Sequence, residues 1–239
     1  MIVRLLFTLG LTLFSYGFVV STATAQSMQA DPAPEPTEDP LEGVNQSVFQ
    51  FNLKVDEYVL RPIATGYNAV MPDAAQRGVH RFFRNLGVVE RFANNLFQGE
   101  ILDAGQEVGR FLVNTTLGGV GFVEVAEPLL GWKENHEDFG QTLAVYGVGT
   151  GPYLVLPFYG PSTVRDTVGM VADGAMHPMS HFLSTIQLLA IRAGTTTTRV
   201  VNYRSMNLTL FEDADRYAVD LYGSAQDIYL QRRAQQIQE

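Results

Sequence analysis

The 239-residue chain contains no cysteine. Disulfides, thiol nucleophiles, thiolate metal sites and iron–sulfur ligation are therefore excluded. Lysine is almost missing too, found only at Lys54 and Lys133; the other basic residues are arginine. Arginine suits bidentate pairing and phosphate contact, and equally a solvated surface. Charge is sparse (17% of residues) and acidic in balance, at −9. Nucleic acid is excluded as a partner, because phosphate neutralisation needs Lys/Arg clusters. Bulk charge gives no attraction to anionic headgroups either. Beyond residue 25 no stretch reaches the ~20 apolar residues of a spanning helix. Alternating strand pairs and a βαβ rhythm are also missing, so the fold is expected to be mainly α.

The machinery of an enzyme is equally scarce. No Gly-x-Ser-x-Gly elbow and no His-Glu-x-x-His are present, and Ser162 reads as a helix cap. His136, Glu137 and Asp138 are consecutive, so they do not converge on one ion; Asp138 reads as a helix cap. His177 and His181 have the spacing of two ligands on one helix face, but Pro178 disturbs that turn. Gly147-x-Gly149-x-Gly151 resembles a phosphate loop, yet Pro152 follows it where a helix should start. Tight turns in a hairpin-like loop explain it better. No acid–base couple stands out. A non-enzyme without a cofactor or metal is expected.

What the chain does hold divides it into four parts. Residues 1–25 read as a signal peptide: Arg4, an apolar stretch over 5–20, then Ala23-Thr24-Ala25 as the cleavage site. Residues 26–38 form an acidic, proline-rich tether. Residues 39–212 form the helical body, and residues 213–239 a C-terminal amphipathic helix with a polar tail. In the body, Asp39 caps the first helix, Pro40 occupies its first position and Glu42 completes a capping box. Leu41, Val44, Val48, Phe51, Val55 and Tyr58 recur at helical spacing, opposite Asn45, Asn52 and Asp56, with Phe49 between. Arg61-Pro62 is expected to end this helix. Helices follow over 63–70, 73–84, 88–98, 101–117, 123–130, 138–146 and 163–171. Gly105 and Gly109 offer close approach to another backbone. Gly194 and the threonines after it are expected to break the chain. Residues 182–191 are almost wholly apolar, and 202–207 are ambiguous.

The most informative stretch is 137–166. It is rich in Gly, Pro, aromatic and aliphatic residues and almost uncharged in its middle, whereas loops normally face water. Irregular backbone at membrane depth survives only against protein or a water-filled cavity. Its Gly-Pro-Tyr-Leu-Val-Leu-Pro-Phe-Tyr-Gly-Pro-Ser run (151–162) resembles that of the VacJ/MlaA family. So do Asp39-Pro40-Leu41-Glu42-Gly43-Val44-Asn45, Phe49-Gln50-Phe51-Asn52, Arg61-Pro62, Asn85-Leu86-Gly87, Asn95-x-x-Gln98-Gly99 and Arg110-Phe111-x-x-Asn114-x-x-Leu117-Gly118. The likeness spans about 39–173 and is weak over 195–239.

This resemblance implies a ring of helices set in the inner leaflet of the outer membrane of a Gram-negative bacterium. It implies that phospholipid mislocated in the outer leaflet passes through a polar channel to a periplasmic lipid-carrier protein, with a porin trimer as membrane partner. A polar channel lowers the cost of carrying a charged headgroup through hydrocarbon. Candidate channel or gate residues are Asn45, Phe49, Asn52, Arg61, Gly118, Gly119, Gly121, Gly147, Gly149, Gly151, Pro152, Pro157, Arg165 and Asp166. Two departures stand out. Family members are commonly anchored through an acylated cysteine, which this sequence lacks, and Gln46 stands where Arg is frequent. The rival readings are a periplasmic hydrolase acting on lipid or cell wall, and a porin-docking scaffold that moves no lipid.

Overall fold

Pro62 shapes the start of the fold in a way its sequence context conceals. A computed structural model describes residues 39–176, 185–218 and 220–238; the leader, the tether, His177 and His181 lie outside them. Asp39 Oδ1 accepts from the Leu41 amide at 2.9 Å, and regular helix α1 runs Glu42–Val55. Glu42 does not complete a capping box; its carboxylate accepts from Gln46 instead. Arg61-Pro62 does not end the helix. The backbone widens into a π turn, Asp56–Leu60, and continues as α2, Arg61–Val70. Proline has no N–H and its ring crowds the carbonyl four residues back. The wider turn, with the Arg61 amide bonded to the Asp56 carbonyl, makes room for it.

Punctuation by Pro and Gly sets most later boundaries. Helix α3 spans Asp73–Leu86, α4 Val88–Gln98 and α5 Ile101–Thr116. Gly99, at φ 86°, closes α4 in the left-handed conformation that glycine tolerates. Short α6 (Ala126–Leu130) precedes α7 (Phe139–Val145), whose N-terminus is capped by Asp138 accepting from the Gln141 amide at 2.9 Å. The region expected to be irregular contains a strand pair, contrary to the sequence reading. Strand β1 (Tyr153–Leu156) pairs antiparallel with β2 (Gly160–Thr163), with Tyr153 opposite Thr163 and Leu156 opposite Gly160. Ser162 lies buried in β2 and is not a cap; Thr163 Oγ1 accepts from the Asp166 amide at the start of α8, Val164–Met176.

Helix α9 (Thr185–Met206) runs straight through Gly194 and the threonines. Thr195 and Thr198 hydroxyls bond back to the Arg192 and Gly194 carbonyls, so these residues keep their polar groups satisfied inside a helix. Asn207 separates it from α10, Leu208–Tyr217. The single C-terminal helix expected from 213 is two pieces. Ala218 is extended, and α11 (Leu221–Gln238) begins afresh where Asp220 Oδ1 accepts from the Tyr222 and Gly223 amides.

The packing order closes on itself. Helix α1 leads through the π turn to α2; α2 packs on α9, α9 on α3, and α3 on α4 and α5. From there α4 packs on α7, α7 on α8, α8 on β2, β2 on β1, and β1 back on α1. Among the described residues, most of the extensive contacts join neighbours in this cycle; α4 also meets α8 directly, and Arg192 of α9 donates to the Gly174 carbonyl of α8 at 2.9 Å. The fold is thus mainly α, with its elements joined in a ring. At one joint, α8 approaches α7 so closely that a side chain on Gly169 would strike the backbone of Phe139 and Gly140. On α5, Gly109 receives the Trp132 ring and not another backbone, and Gly105 faces open space.

Polarity is distributed against the usual pattern. The interior holds Asn45, Gln76, Asn94, Asn95, Glu107, Arg110, Asn114, Asn202 and Arg204, all buried. The apolar core is small: Phe49, Tyr153, Val155 and Ala225, with Val48, Leu53, Leu221, Tyr222, Tyr229 and Leu230 against them. Outside, Leu102 is 89% exposed, Val70 85%, and Tyr58 and Ile101 71% each. Helix α5 shows the inversion most clearly. Ala104, Glu107, Arg110 and Asn114 face inward, while Ile101, Val108 and Leu112 face out. A protein surface always carries apolar atoms, but buried polar groups beside so broad an apolar exterior point to a non-aqueous neighbour. No helix among the described residues is long and apolar enough to cross a membrane.

Candidate functional site

Helix α1 holds the hairpin through two asparagines on one face. Asn45 Nδ2 donates to the Tyr153 carbonyl (3.0 Å) and to Asp39, and its Oδ1 accepts from the Val155 amide at 2.9 Å. Two turns on, Asn52 Nδ2 donates to the Leu156 carbonyl at 3.0 Å and Oδ1 accepts from the Phe158 amide at 2.7 Å. Each amide thus imitates a neighbouring strand. Phe49, between them, is buried against Tyr153 and Val155, edge-on to Tyr222. Phe158 sits at φ 64° in the turn, with Phe51 stacked edge-on at 5.1 Å. A bulky residue in that region is strained, and such strain clusters at functional segments.

The hairpin's far side rests on charge. Gly147 and Gly151 adopt positive φ before Pro152, whose carbonyl accepts from the Val164 amide; the Thr150 carbonyl accepts from that of Arg165. Arg165 Nε reaches Asp166 at 3.2 Å. Arg233 of α11 donates to both Asp138 oxygens (2.6 and 2.7 Å) and to Asp166 Oδ1 at 2.9 Å. Tyr229 donates to the other Asp166 oxygen at 2.7 Å. Burial works against ionising Asp166, yet the Arg233 guanidinium and these donors hold its carboxyl below the ordinary value.

Of the sequence candidates, Asn45, Phe49, Asn52, Gly147, Gly149, Gly151, Pro152, Pro157, Arg165 and Asp166 thus belong to the hairpin and its supports. The others lie elsewhere. Arg61 stands where the π turn meets α2. Gly118, Gly119 and Gly121 form the turn after α5. A side chain on Gly118 would strike the Asn114 carbonyl, and one on Gly121 the Asn85 amide. Asn114 Oδ1 accepts there from the Val125 and Ala126 amides.

That turn borders a cluster the sequence reading missed. Glu107, fully buried, takes Arg91 Nε at 2.6 Å and the Asn135 amide at 2.9 Å, with Arg110 at 3.6 Å. Glu134 pairs with Arg84 and Arg91, and Glu124 with Arg110. The signal was present in the spacing of Glu107, Arg110 and Asn114 along α5, an inward polar face at helical period. At the joint of α9 with the π turn, Arg204 grips Asp56 with two bonds of 2.7 and 2.9 Å, and Asn202 bonds Tyr67 and Gln76.

One buried carboxylate has no cation among its bonded partners. Asp173 of α8 accepts from Asn94 (2.9 Å) and from the Phe139 amide (3.1 Å). Burial pushes its carboxyl from 3.8 up to about 7, with Asp138 and Glu90 adding to the rise against those two hydrogen bonds. The folded value lies above the unfolded one, so Asp173 favours the fold fully below pH 3.8 and loses that contribution as pH rises through about 7. Asp173→Asn is expected to remove a decline of up to about 4 kcal/mol across that window. Thermal unfolding of both forms from pH 4 to 8 measures it; equal slopes contradict it.

Comparison with known proteins follows the same lines. The matching stretch is 41% identical over 150 residues to the intermembrane phospholipid transport system lipoprotein MlaA of Shigella flexneri and of Escherichia coli (strain K12), covering 61% of this chain and 59% of theirs. The protein of that name from Haemophilus influenzae is 38% identical over 143 residues, 59% of this chain and 57% of its own. The match therefore spans less than two thirds of those relatives' length. A solved structure described as "Structural basis for maintenance of bacterial outer membrane lipid asymmetry" superposes with a TM-score of 0.72 at 32% identity, over 84% of this chain and 100% of that one. Residues 37–236 match the family model described as MlaA lipoprotein, and the chain belongs to that family.

Proposed function

We propose that this protein moves phospholipid between the outer membrane and a periplasmic lipid-carrier protein, and so keeps the two leaflets of the outer membrane unlike. The observation that carries the reading is the inverted polarity of a closed ring of elements: polar side chains inside, large apolar ones outside. Such a body is matched to lipid around it and to a charged headgroup within it. It sits at the periplasmic face of the outer membrane, held by its apolar exterior, because no cysteine is available for acylation. A porin trimer is the membrane partner expected beside it. The hairpin and its asparagine clamps form the movable wall, and Arg165 and Asp166 fix its base. No step of covalent chemistry is required, so the protein acts as a conduit and not an enzyme.

Deleting the gene is expected to raise the surface-exposed phosphatidylethanolamine of whole cells, labelled with an impermeant amine reagent. The Asn45→Ala/Asn52→Ala pair, which frees the hairpin from α1, is expected to change that level in otherwise wild-type cells. An unchanged outer leaflet in the deletion, with the protein wholly in the aqueous phase, refutes the proposal.

A further inference from the structure

Helix α3 is basic in an acidic chain, as α9 is with Arg192, Arg199 and Arg204. Arg77, Arg81 and Arg84 fall within eight residues of α3, in a protein of net charge −9. Arg81 and Arg84 line a small cavity between α3, α4 and α5, together with Arg91, Arg110, Glu124 and Glu134. Four guanidinium groups thus face two carboxylates there, with Glu107 behind the wall. Three arginines are used in ion pairs. Arg81 makes none among the described residues.

The carboxylates differ in how they are held. Glu107 is fixed on α5 by the Asn135 amide and Arg91. Glu134 sits in the irregular segment 131–138, where it bridges Arg84 and Arg91. The backbone on either side is pinned, by Arg110 on the Trp132 carbonyl and by Glu107 on the Asn135 amide. Glu134 can therefore withdraw by rotating its side chain, with no movement of the segment. Its partner Arg84 is also the cluster's link to solvent, with a side chain 39% exposed.

We infer that this cluster is a phosphate site whose place is filled by the Glu134 carboxylate until a phosphate arrives. The cavity left beside it, about 10 Å³, has room for no more than a water, so the site opens only as Glu134 withdraws. An incoming phosphate would take over the two guanidinium groups that Glu134 bridges and gain Arg81 besides. Forked guanidinium donors match phosphate oxygens well; a free phosphate ion brings more acceptor oxygens than one carboxylate, and a diester, with two non-bridging oxygens, matches the carboxylate and gains by reaching Arg81. The surroundings are electropositive in keeping with this. Burial, with Arg84, Arg199 and Arg81 nearby, holds half-buried His80 down to about 4. The phosphate could belong to a phospholipid headgroup, in which case the site lies on the path proposed above, or to a free phosphate ion.

The test uses the full chain in non-ionic maltoside micelles, titrated by calorimetry with inorganic phosphate and, separately, with short-chain phosphatidylglycerol. Glu134→Gln is expected to tighten binding about tenfold, and Arg81→Gln and Arg84→Gln to weaken it about tenfold to a hundredfold, the scale of charge-assisted hydrogen bonds. Arg81→Gln breaks no ion pair, so its effect is not a folding defect. Bound phosphate should also raise the pH at which the His80 imidazole titrates by NMR. Binding of the lipid but not the ion supports a headgroup site; binding of the ion alone supports a free-phosphate site and leaves lipid passage to the cell assay. Binding of neither probe, or equal effects of Glu134→Gln and Arg81→Gln, overturns the inference.

Discussion

Replacing Arg233 with alanine is expected to lower stability by about 3–5 kcal/mol, the cost of removing one partner from a buried ion cluster. Arg233 is 7% exposed and touches both oxygens of Asp138 and one of Asp166. Without it, Asp166 keeps Arg165 at 3.2 Å as its one cation among the described residues, beside the Tyr229 hydroxyl, and Asp138 keeps none. The loss also weakens the tie of α11 to α7 and to the base of the hairpin, leaving Gln141 on the Gln236 carbonyl and Tyr229 on Asp166. Arg233→Lys should recover little, because a single ammonium cannot span two carboxylates as the guanidinium fork does. Acid supplies an internal check. The Asp166 carboxyl lies below its unfolded value, so its contribution is present above pH 3.8 and lost as pH falls further. The wild type should therefore lose stability in that range, and Arg233→Ala should lose less. Denaturant unfolding in detergent measures both; a change under ~1 kcal/mol, the worth of an exposed pair, would show that the cluster is solvated.

The second large effect concerns the exterior. Ile101 and Leu102 open α5 and are 71% and 89% exposed, so changing both to glutamate disturbs no packing. Acidic residues in the first turn of a helix are favourable in any case. The fold should survive, as read by circular dichroism. Association with lipid vesicles should not. Each side chain forfeits about 1.5–3 kcal/mol of apolar transfer. Together they are expected to reduce partitioning by about a hundredfold to ten-thousandfold. A double variant that still partitions like the wild type would mean that this face of α5 is not in contact with lipid.

How far the sequence reveals this protein depends on how local the cause is. Asp138 acts within a few residues of itself, and the helix start it caps was legible, as were the boundaries at 70, 88 and 98 beside Met71-Pro72, Gly87 and Gly99. The strand pair was not, because residues 151–163 are held extended by Asn45 and Asn52 of α1, about a hundred positions earlier. Pro62 misleads for a related reason: the π turn that accommodates it is braced by Arg204. Among the site candidates, motif likeness gathered Asn45, Asn52, Arg165 and Asp166, all of which meet at the hairpin. It passed over Glu107, Arg233 and Glu134, whose importance comes from burial. Arg110 and Asn114 were matched only as motif letters, without their inward direction.

The joint between α2 and α9 has a bearing on how the protein comes to exist. Tyr67 meets Asn202, and Asp56 meets Arg204, across 135 and 148 positions of chain. The hoop therefore stays unclasped until nearly all of the polypeptide has been delivered. Contacts so distant in sequence form late and slowly. Throughout that interval a greasy outer wall is exposed to water in an unfinished molecule, which is the condition under which chains aggregate. Biogenesis of such a protein calls for an escort that shields it until its two ends have met.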